Sequence, residues 1–439
     1  MESSIKLSEQ EQKMLAEWQE PDWEILPKGL GVDLDVSVRE QKAIVRERKL
    51  KGAKNLLRLA LAYAVCDWSL RLVAAWAAIQ GVASLSDVGV LYRLCESGPW
   101  LGWLVGQVLQ QRSEMLYFLG GVRLRLVDAT VICRPGSQGT DWRIHLSFDL
   151  GRMCLDGIEI TNAQGGESLA RFDPRADEIY IADRGYCVAR GLGTILATCA
   201  RLVVRINWHN LPLQTKLGHK LNLIQWLERL STTTERLVTV STPQGDFQVR
   251  LIAYPLPADK AQQAREKVAK QARKKGKKLS HSTWLAAGFV ILITNLPAQT
   301  WETSRIIYLY RLRWQIELQI KRLKSLLQLD HLRAQDPRLV QTYLFAKLLA
   351  ALLLDQLVQQ AEEQAPNLFQ SLQRPLSLWR LHALLLVGLR NAIIGHLSLV
   401  KILAALPSLQ RYLCDTPRIR TQQLTWARRF LARLSPSGI

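Results

Sequence analysis

Residues 310–324 read YRLRWQIELQIKRLK, with one carboxylate, Glu317, among five cations. An α-helix turns by about 100° per residue, so positions 310, 313, 317 and 324 fall within roughly 60° of one another. Tyr310, Arg313, Glu317 and Lys324 therefore share a narrow face. Leu309, Leu312, Ile316, Ile320, Leu323 and Leu327 form a separate apolar stripe. The pattern predicts one helix, starting near Thr303, that buries its leucine side and presents a polar row at the edge of what it packs on. A surface helix can carry such a row by chance, because Glu and Lys are common there. The rest of the chain decides between the two readings.

The 439 residues allow two or three domains, and 48% hydrophobic with 22% charged residues is a globular composition. The formal charge of +20 suits a polyanionic partner. The most apolar stretches, LFAKLLAALLLDQL (344–357) and LHALLLVGL (381–389), are interrupted by charge or too short to span a bilayer, and MESSIKLSEQEQKML lacks the features of a signal peptide. No membrane partner is expected. Seven dispersed cysteines with no C-x-x-C pair indicate reduced thiols in a cytoplasm and argue against a disulfide framework or zinc module. The expected polyanion is nucleic acid.

Before the quoted stretch the chain changes character several times. Residues 1–50 are polar with an acidic excess. From Leu56 to Leu109 the apolar spacing is helical, with breaks expected at QGVASLSD (80–87) and ESGPW (96–100), a pattern compatible with a helix-turn-helix DNA reader. At Gly121 the pattern switches: RLRLVDATVICR (123–134) and WRIHLSFDL (142–150) read as a strand and its return. EIYIAD (178–183), a helix over about 186–198, and LVVRI (202–206) continue a mixed sheet with helices packed on it. Residues 207–290 interrupt that alternation with short strand-like pieces, RLVTVST and FQVRLIAYPL, and a basic run, KAQQAREKVAKQARKKGKK (260–278), holding nine Lys/Arg against one Glu. Most such runs are solvated faces, but the chain's surplus charge favours phosphate tracking. FVILIT (289–294) is a last strand, and from Pro337 onward the chain reads as helical.

Asp128 interrupts the apolar run LVDATVI, and Asp183 ends IYIA. A carboxylate inside or at the tip of a buried strand is unfavourable unless paired or bound to a cation. With Glu317 there are three carboxylates on three elements, able to converge on two divalent cations about 3.5–4 Å apart, an arrangement suited to phosphodiester chemistry. Magnesium suits such a site, with manganese as a substitute. There is no H-x-x-x-H, G-x-x-x-x-G-K-[ST] or G-x-S-x-G to support another chemistry.

Tyr310-x2-Arg313-x3-Glu317-x6-Lys324 resembles the signature of DDE transposases of the IS-four insertion-sequence family, and VDATVI and IADRGY resemble its two aspartate motifs. The resemblance extends through WRIHLSFDL, LVVRINWHNLPL, ITNLP and RWQIELQIKRLKSLLQLDHL, about residues 120–335. It implies an α/β fold: a ribonuclease H-like catalytic domain with a β-rich insertion, flanked by helical N- and C-terminal regions. The implied divisions are a DNA-binding region (1–115), the first part of the core (116–206), the insertion (207–296), the signature helix (297–336) and a C-terminal region (337–439) as a dimerisation surface. Asp128, Asp183 and Glu317 would be the catalytic, metal-binding triad. Tyr310, Arg313 and Lys324 would grip transposon-end phosphates near a flipped-out base, and Lys321 is a further expected DNA contact. Family members often have a tryptophan before the last strand on which that base stacks. Here Phe289 and Val290 hold that place, leaving Phe289, Trp284 or a different mode of holding the base. Ile320 stands where Phe is common, a packing change.

The function so implied is binding of terminal inverted repeats, Mg²⁺-dependent cleavage and strand transfer into target DNA, by a homodimer in a synaptic complex. A related nuclease or domesticated recombinase, and an inactive DNA-binding protein, are the alternatives.

Overall fold

The computed structural model describes residues 22–114 and 122–395. The polar residues 1–21, the 115/116 boundary, Cys414 and the expected helical continuation and assembly surface over 396–439 lie outside them. The described chain divides into two compact units, one of residues 22–114, 131–142 and 319–395, the other of 122–130 and 143–318.

The first unit is mainly helical and opens with α1 (Asp22–Gly29), α2 (Leu34–Glu40), α3 (Ala53–Val65), α4 (Leu70–Ile79) and α5 (Asp87–Glu114). Asp33 caps α2 by accepting from the amides of Asp35 and Val36, and Ser69 caps α4 by accepting from Leu72. The break expected at 80–87 is present, but the one at 96–100 is not: Ser97, Gly98 and Pro99 lie inside α5. Packing overrides the local signal. The Ser97 hydroxyl donates to the Arg93 carbonyl at 2.6 Å, and Gly102 lies so close to Phe345 that a Cβ would come within 2.9 Å of the ring.

The second unit is built on a nine-stranded sheet: β1 (Arg123–Ile132), β2 (Trp142–Asp149), β3 (Cys154–Asn162), β4 (Glu178–Ala182), β5 (Arg201–Arg205), β6 (Leu213–Gln214), β7 (Thr234–Thr242), β8 (Gly245–Pro255) and β9 (Phe289–Thr294). Their order is β3-β2-β1-β4-β5-β9-β8-β7-β6. β1, β4 and β5 are mutually parallel, and β9 runs antiparallel to β5 and β8. The strands of residues 207–296 thus continue the same sheet. β3 was not foreseen; CLDGIEITN has no sustained alternation and carries Gly157 at its centre.

α6 (Ala189–Leu196) and α9 (His281–Ala287) pack on this sheet, and α7 (Leu223–Glu228) and α8 (Ala258–Lys274) pack on α9. The apolar core brings Tyr180, Leu192, Val204, Leu251 and Ile293 together, all fully buried. A buried ionic network ties the first four strands. Arg123 meets Asp149 at 2.9 Å, Asp156 at 2.7 Å and Glu178 at 3.0 Å, while Arg125 donates to the Tyr180 hydroxyl at 2.7 Å. Removing one member would leave the others buried and uncompensated, so the network fixes register more surely than it adds stability.

The quoted stretch forms two helices where one was expected: α10 (Thr303–Arg311) and α11 (Trp314–Ser325). At the junction the amide of residue i+3 donates to the carbonyl of residue i: Arg313 N to Tyr310 O at 3.1 Å, Gln315 N to Leu312 O at 2.9 Å and Ile316 N to Arg313 O at 3.2 Å. The helix tightens there without reversing. The apolar stripe is buried at Leu309, Leu312, Ile316, Leu323 and Leu327, while Ile320 is half-buried.

The first unit resumes with α12 (Pro337–Gln364), α13 (Pro366–Gln370) and α14 (Leu378–Ile394). The 344–357 stretch, expected to be interrupted by charge or too short to span a membrane, lies in the 28-residue α12, which by length and composition could cross one. It is 78% buried over its most apolar window, packing mainly on α5 and α3.

Candidate active site

Val127 on β1 is the Cα partner of Ala182 on β4. The next residue on each strand is an aspartate, so Asp128 and Asp183 emerge side by side from adjacent parallel strands. Asp128 Oδ1 accepts the amide of Ala129 at 2.8 Å. Asp183 caps the short 3₁₀ turn Arg184–Tyr186 through its carbonyl, which accepts the Tyr186 amide at 3.0 Å.

The signature residues come in over this strand end. The Tyr310 hydroxyl donates to Asp183 Oδ1 at 2.9 Å. Arg313 reaches Asp128 Oδ2 at 3.5 Å and bonds Glu317 Oε1 one helical turn on. One guanidinium therefore links two of the three carboxylates and lies within the field of the third. Arg205, on β5, adds a more distant cation 4.0 Å from Asp183.

Burial pushes the Asp128 carboxyl up to about 6, against the lowering effect of the Ala129 amide and Arg313; Glu167 and Glu317 add to the rise. Asp183 moves the other way. Burial would raise it, but Arg313, the Arg184 amide, Arg205 and Tyr310 together hold it below the usual carboxylate range. Burial and the neighbouring Asp183 push the Tyr310 phenol up. Two carboxylates a strand apart are thus tuned in opposite directions, a common mark of a functional site.

Asp128, Asp183, Glu317, Tyr310 and Arg313 are brought together within the second unit. Lys324 lies further along α11 and pairs with Asp330 at 3.8 Å, and Lys321 is exposed with its ammonium 5.7 Å from the Trp379 ring centre. Phe289 is buried in the sheet's apolar core, its ring unavailable to a base. Trp284 is 40% exposed, with the Arg265 guanidinium 3.9 Å over its ring. Among the described residues, no group of three or more acidic, histidine or cysteine side chains is already gathered around a point where a cation could sit. Arg313 is drawn in among them instead. The donor set, three carboxylates rich in hard oxygen, still fits magnesium or manganese. Sequence reading missed Arg205 and Glu167. The former lay unremarked in LVVRI, and the latter gives no signal beyond a carboxylate in the glycine-rich AQGGES.

Comparison with known proteins gives the chain's family. The transposase DDE domain family matches residues 122–353. InsL of insertion sequence element IS186A from Escherichia coli K12 is 38% identical over 351 residues, covering 77% of this chain and 94% of that protein. The transposase of insertion sequence element IS421 from Escherichia coli is 38% identical over 352 residues, with the same coverage. The transposase of element IS231F from Bacillus thuringiensis subsp. israelensis is 26% identical over 372 residues, covering 73% of this chain and 76% of that one. The chain belongs to the DDE transposases of the IS-four insertion-sequence family.

Proposed function

We propose that this transposase binds the terminal inverted repeats of its own element and cuts and joins DNA at the Asp128–Asp183–Glu317 site. The observation that carries the reading is the register of β1 and β4, which sets the two aspartates side by side under Arg313 and Glu317. Carboxylates on adjacent parallel strands inside a mixed sheet also support a ribonuclease H-like core over 116–206 and 297–336, with 207–296 as its insertion.

When bound, two Mg²⁺ ions would activate the attacking oxygen and stabilise the leaving one in an in-line displacement at phosphorus. Asp128, Asp183 and Glu317 would hold them. With those carboxylates neutralised, Arg313 would be available to a DNA phosphate, bidentate geometry being its strength. Tyr310, hydrogen-bonded to Asp183, orients that carboxylate and offers a phenol to the same strand. Lys324 and Lys321 extend the grip along the backbone, and the exposed Trp284 is the aromatic on which a displaced base would stack. Strand transfer by a freed 3′-hydroxyl uses the same displacement, so one site serves both steps. A homodimer, with 337–439 as its assembly surface, would synapse the two ends.

Purified protein incubated with DNA carrying the element's ends tests this, with and without Mg²⁺ and beside Glu317→Gln. Metal-dependent cleavage at the ends, reduced at least about 100-fold in the variant, is the expected outcome. Binding without cleavage in both proteins would leave a DNA-binding protein with no working site.

A further inference from the structure

A fourth carboxylate reaches the same strand end. Glu167 is half-buried in the loop after β3, and its backbone is pinned. The next residue, Ser168, accepts the Ala170 amide at 3.2 Å. The turn at Leu169 lies against α6 so closely that a Cβ on Gly191 would come within 2.8 Å of the Leu169 amide nitrogen. The Glu167 carboxylate then falls on Gly185, two residues beyond Asp183, where a Cβ would stand 1.6 Å from Glu167 Oε2. Only glycine leaves room for it.

The neighbourhood has a second, independent peculiarity. Tyr186 is fully buried, and among the described residues its hydroxyl has no hydrogen-bond partner. The charged groups that bear on it most are Asp128 and then Glu167. An unmade bond at a buried hydroxyl is costly, so such a group is a donor waiting for an acceptor. Asp128 and Glu167 in turn oppose each other's ionisation, as do Glu167 and Asp183. Arg143 supplies part of the compensation on the Glu167 side.

We propose that Glu167 is a fourth carboxylate of the divalent-cation site, admitted by Gly185, with the Tyr186 hydroxyl as the donor that orients it. The inference rests on the metal-site reading given above. Four carboxylates would balance the charge of two divalent cations, leaving Arg313 free for DNA.

Binding of Mn²⁺ to the DNA-free full chain, followed by the electron paramagnetic resonance of the free ion, tests it without any turnover. Glu167→Gln keeps the shape and removes the charge. Gly185→Ala keeps the charge and displaces the carboxylate; its clash is with the far end of a flexible side chain, so the fold should survive. Each variant should bind Mn²⁺ about 10-fold or more weakly than wild type, with unchanged thermal unfolding in EDTA. Wild-type affinity in both variants, while Asp128→Asn loses binding, would overturn the role of Glu167 and leave the triad standing. Equal binding by wild type and Asp128→Asn, or none by wild type, would overturn both.

Discussion

Arg313 stands where a cation is needed. Its guanidinium links Asp128 and Glu317, and its side chain is 14% exposed against 22% and 33% for theirs. Removing it leaves two partly buried carboxylates uncompensated, a loss greater than that of an exposed surface pair. Arg313→Ala should therefore lower stability by about 1–3 kcal/mol in EDTA, and Mn²⁺ should restore more stability to the variant than it adds to wild type. Thermal unfolding with and without the ion reads both effects; equal metal-induced shifts would show that Arg313 does not substitute for the cation. At this scale the sequence was informative where a charge broke a pattern. Asp128 interrupts a strand, Asp183 ends one, and Glu317 is alone among cations. Glu167 and Arg205 break no pattern, because a carboxylate in a polar loop and an arginine at a strand end look the same with or without a partner. That Phe289 is buried and Trp284 exposed is not written in either residue, because burial depends on what folds over them.

Among the elements, strands with sustained alternation were legible and their register was not. β1, β2, β4, β5, β7, β8 and β9 could be read from apolar and β-branched runs, whereas the pairing of Val127 with Ala182 is a tertiary fact. The tightening between α10 and α11 has no Gly or Pro to announce it; it comes where Tyr310 and Arg313 reach their carboxylates. Pro99 shows the converse, a breaker overruled by packing. α12 was legible as helical, but its buried charge was not anticipated. Lys347 is 1% exposed and donates to the Gln328 carbonyl at 2.8 Å, with its ammonium 4.2 Å from the centre of the Tyr343 ring. Burial draws its pKa down to about 7, with Arg390 and Arg333 acting in the same sense against Asp67 and Asp330. The unfolded chain binds this proton up to an ordinary lysine pKa near 10.4, whereas the folded chain releases it near 7. The charged form therefore destabilises the fold fully below pH 7, and stability from this group rises between pH 7 and about 10. Lys347→Met should be more stable than wild type at pH 7, by about 1–3 kcal/mol, and the difference should shrink as pH is raised towards 10. Denaturant unfolding at several pH values checks this; a constant difference would mean that the ammonium is not the source.

For the whole molecule the dominant quantity is the net charge of +20. Composition identified a polyanionic partner but not where it is met. The candidate is α8, whose Lys260, Lys267, Lys270, Arg273 and Lys274 are exposed. Its last turn is basic and its first acidic, as the helix dipole favours. Arg265 differs from these residues because it is spent on the Trp284 ring, tying α8 to α9. A helix anchored by one cation and studded with others can lie along a phosphate backbone. Each phosphate contact releases condensed counterions, and the logarithm of affinity falls by about 0.9 per contact for each tenfold rise in salt. Binding to the element's ends should therefore weaken steeply between 50 and 200 mM salt, by about 1,000-fold if six or more phosphates are met. Replacing Lys267, Lys270, Arg273 and Lys274 by Gln should flatten the slope by up to about one unit per residue. It should weaken binding to unrelated DNA as much as to the ends, because phosphate contacts carry no sequence. An unchanged slope would make α8 a solvated face, and the phosphate contacts would then have to come from other basic residues.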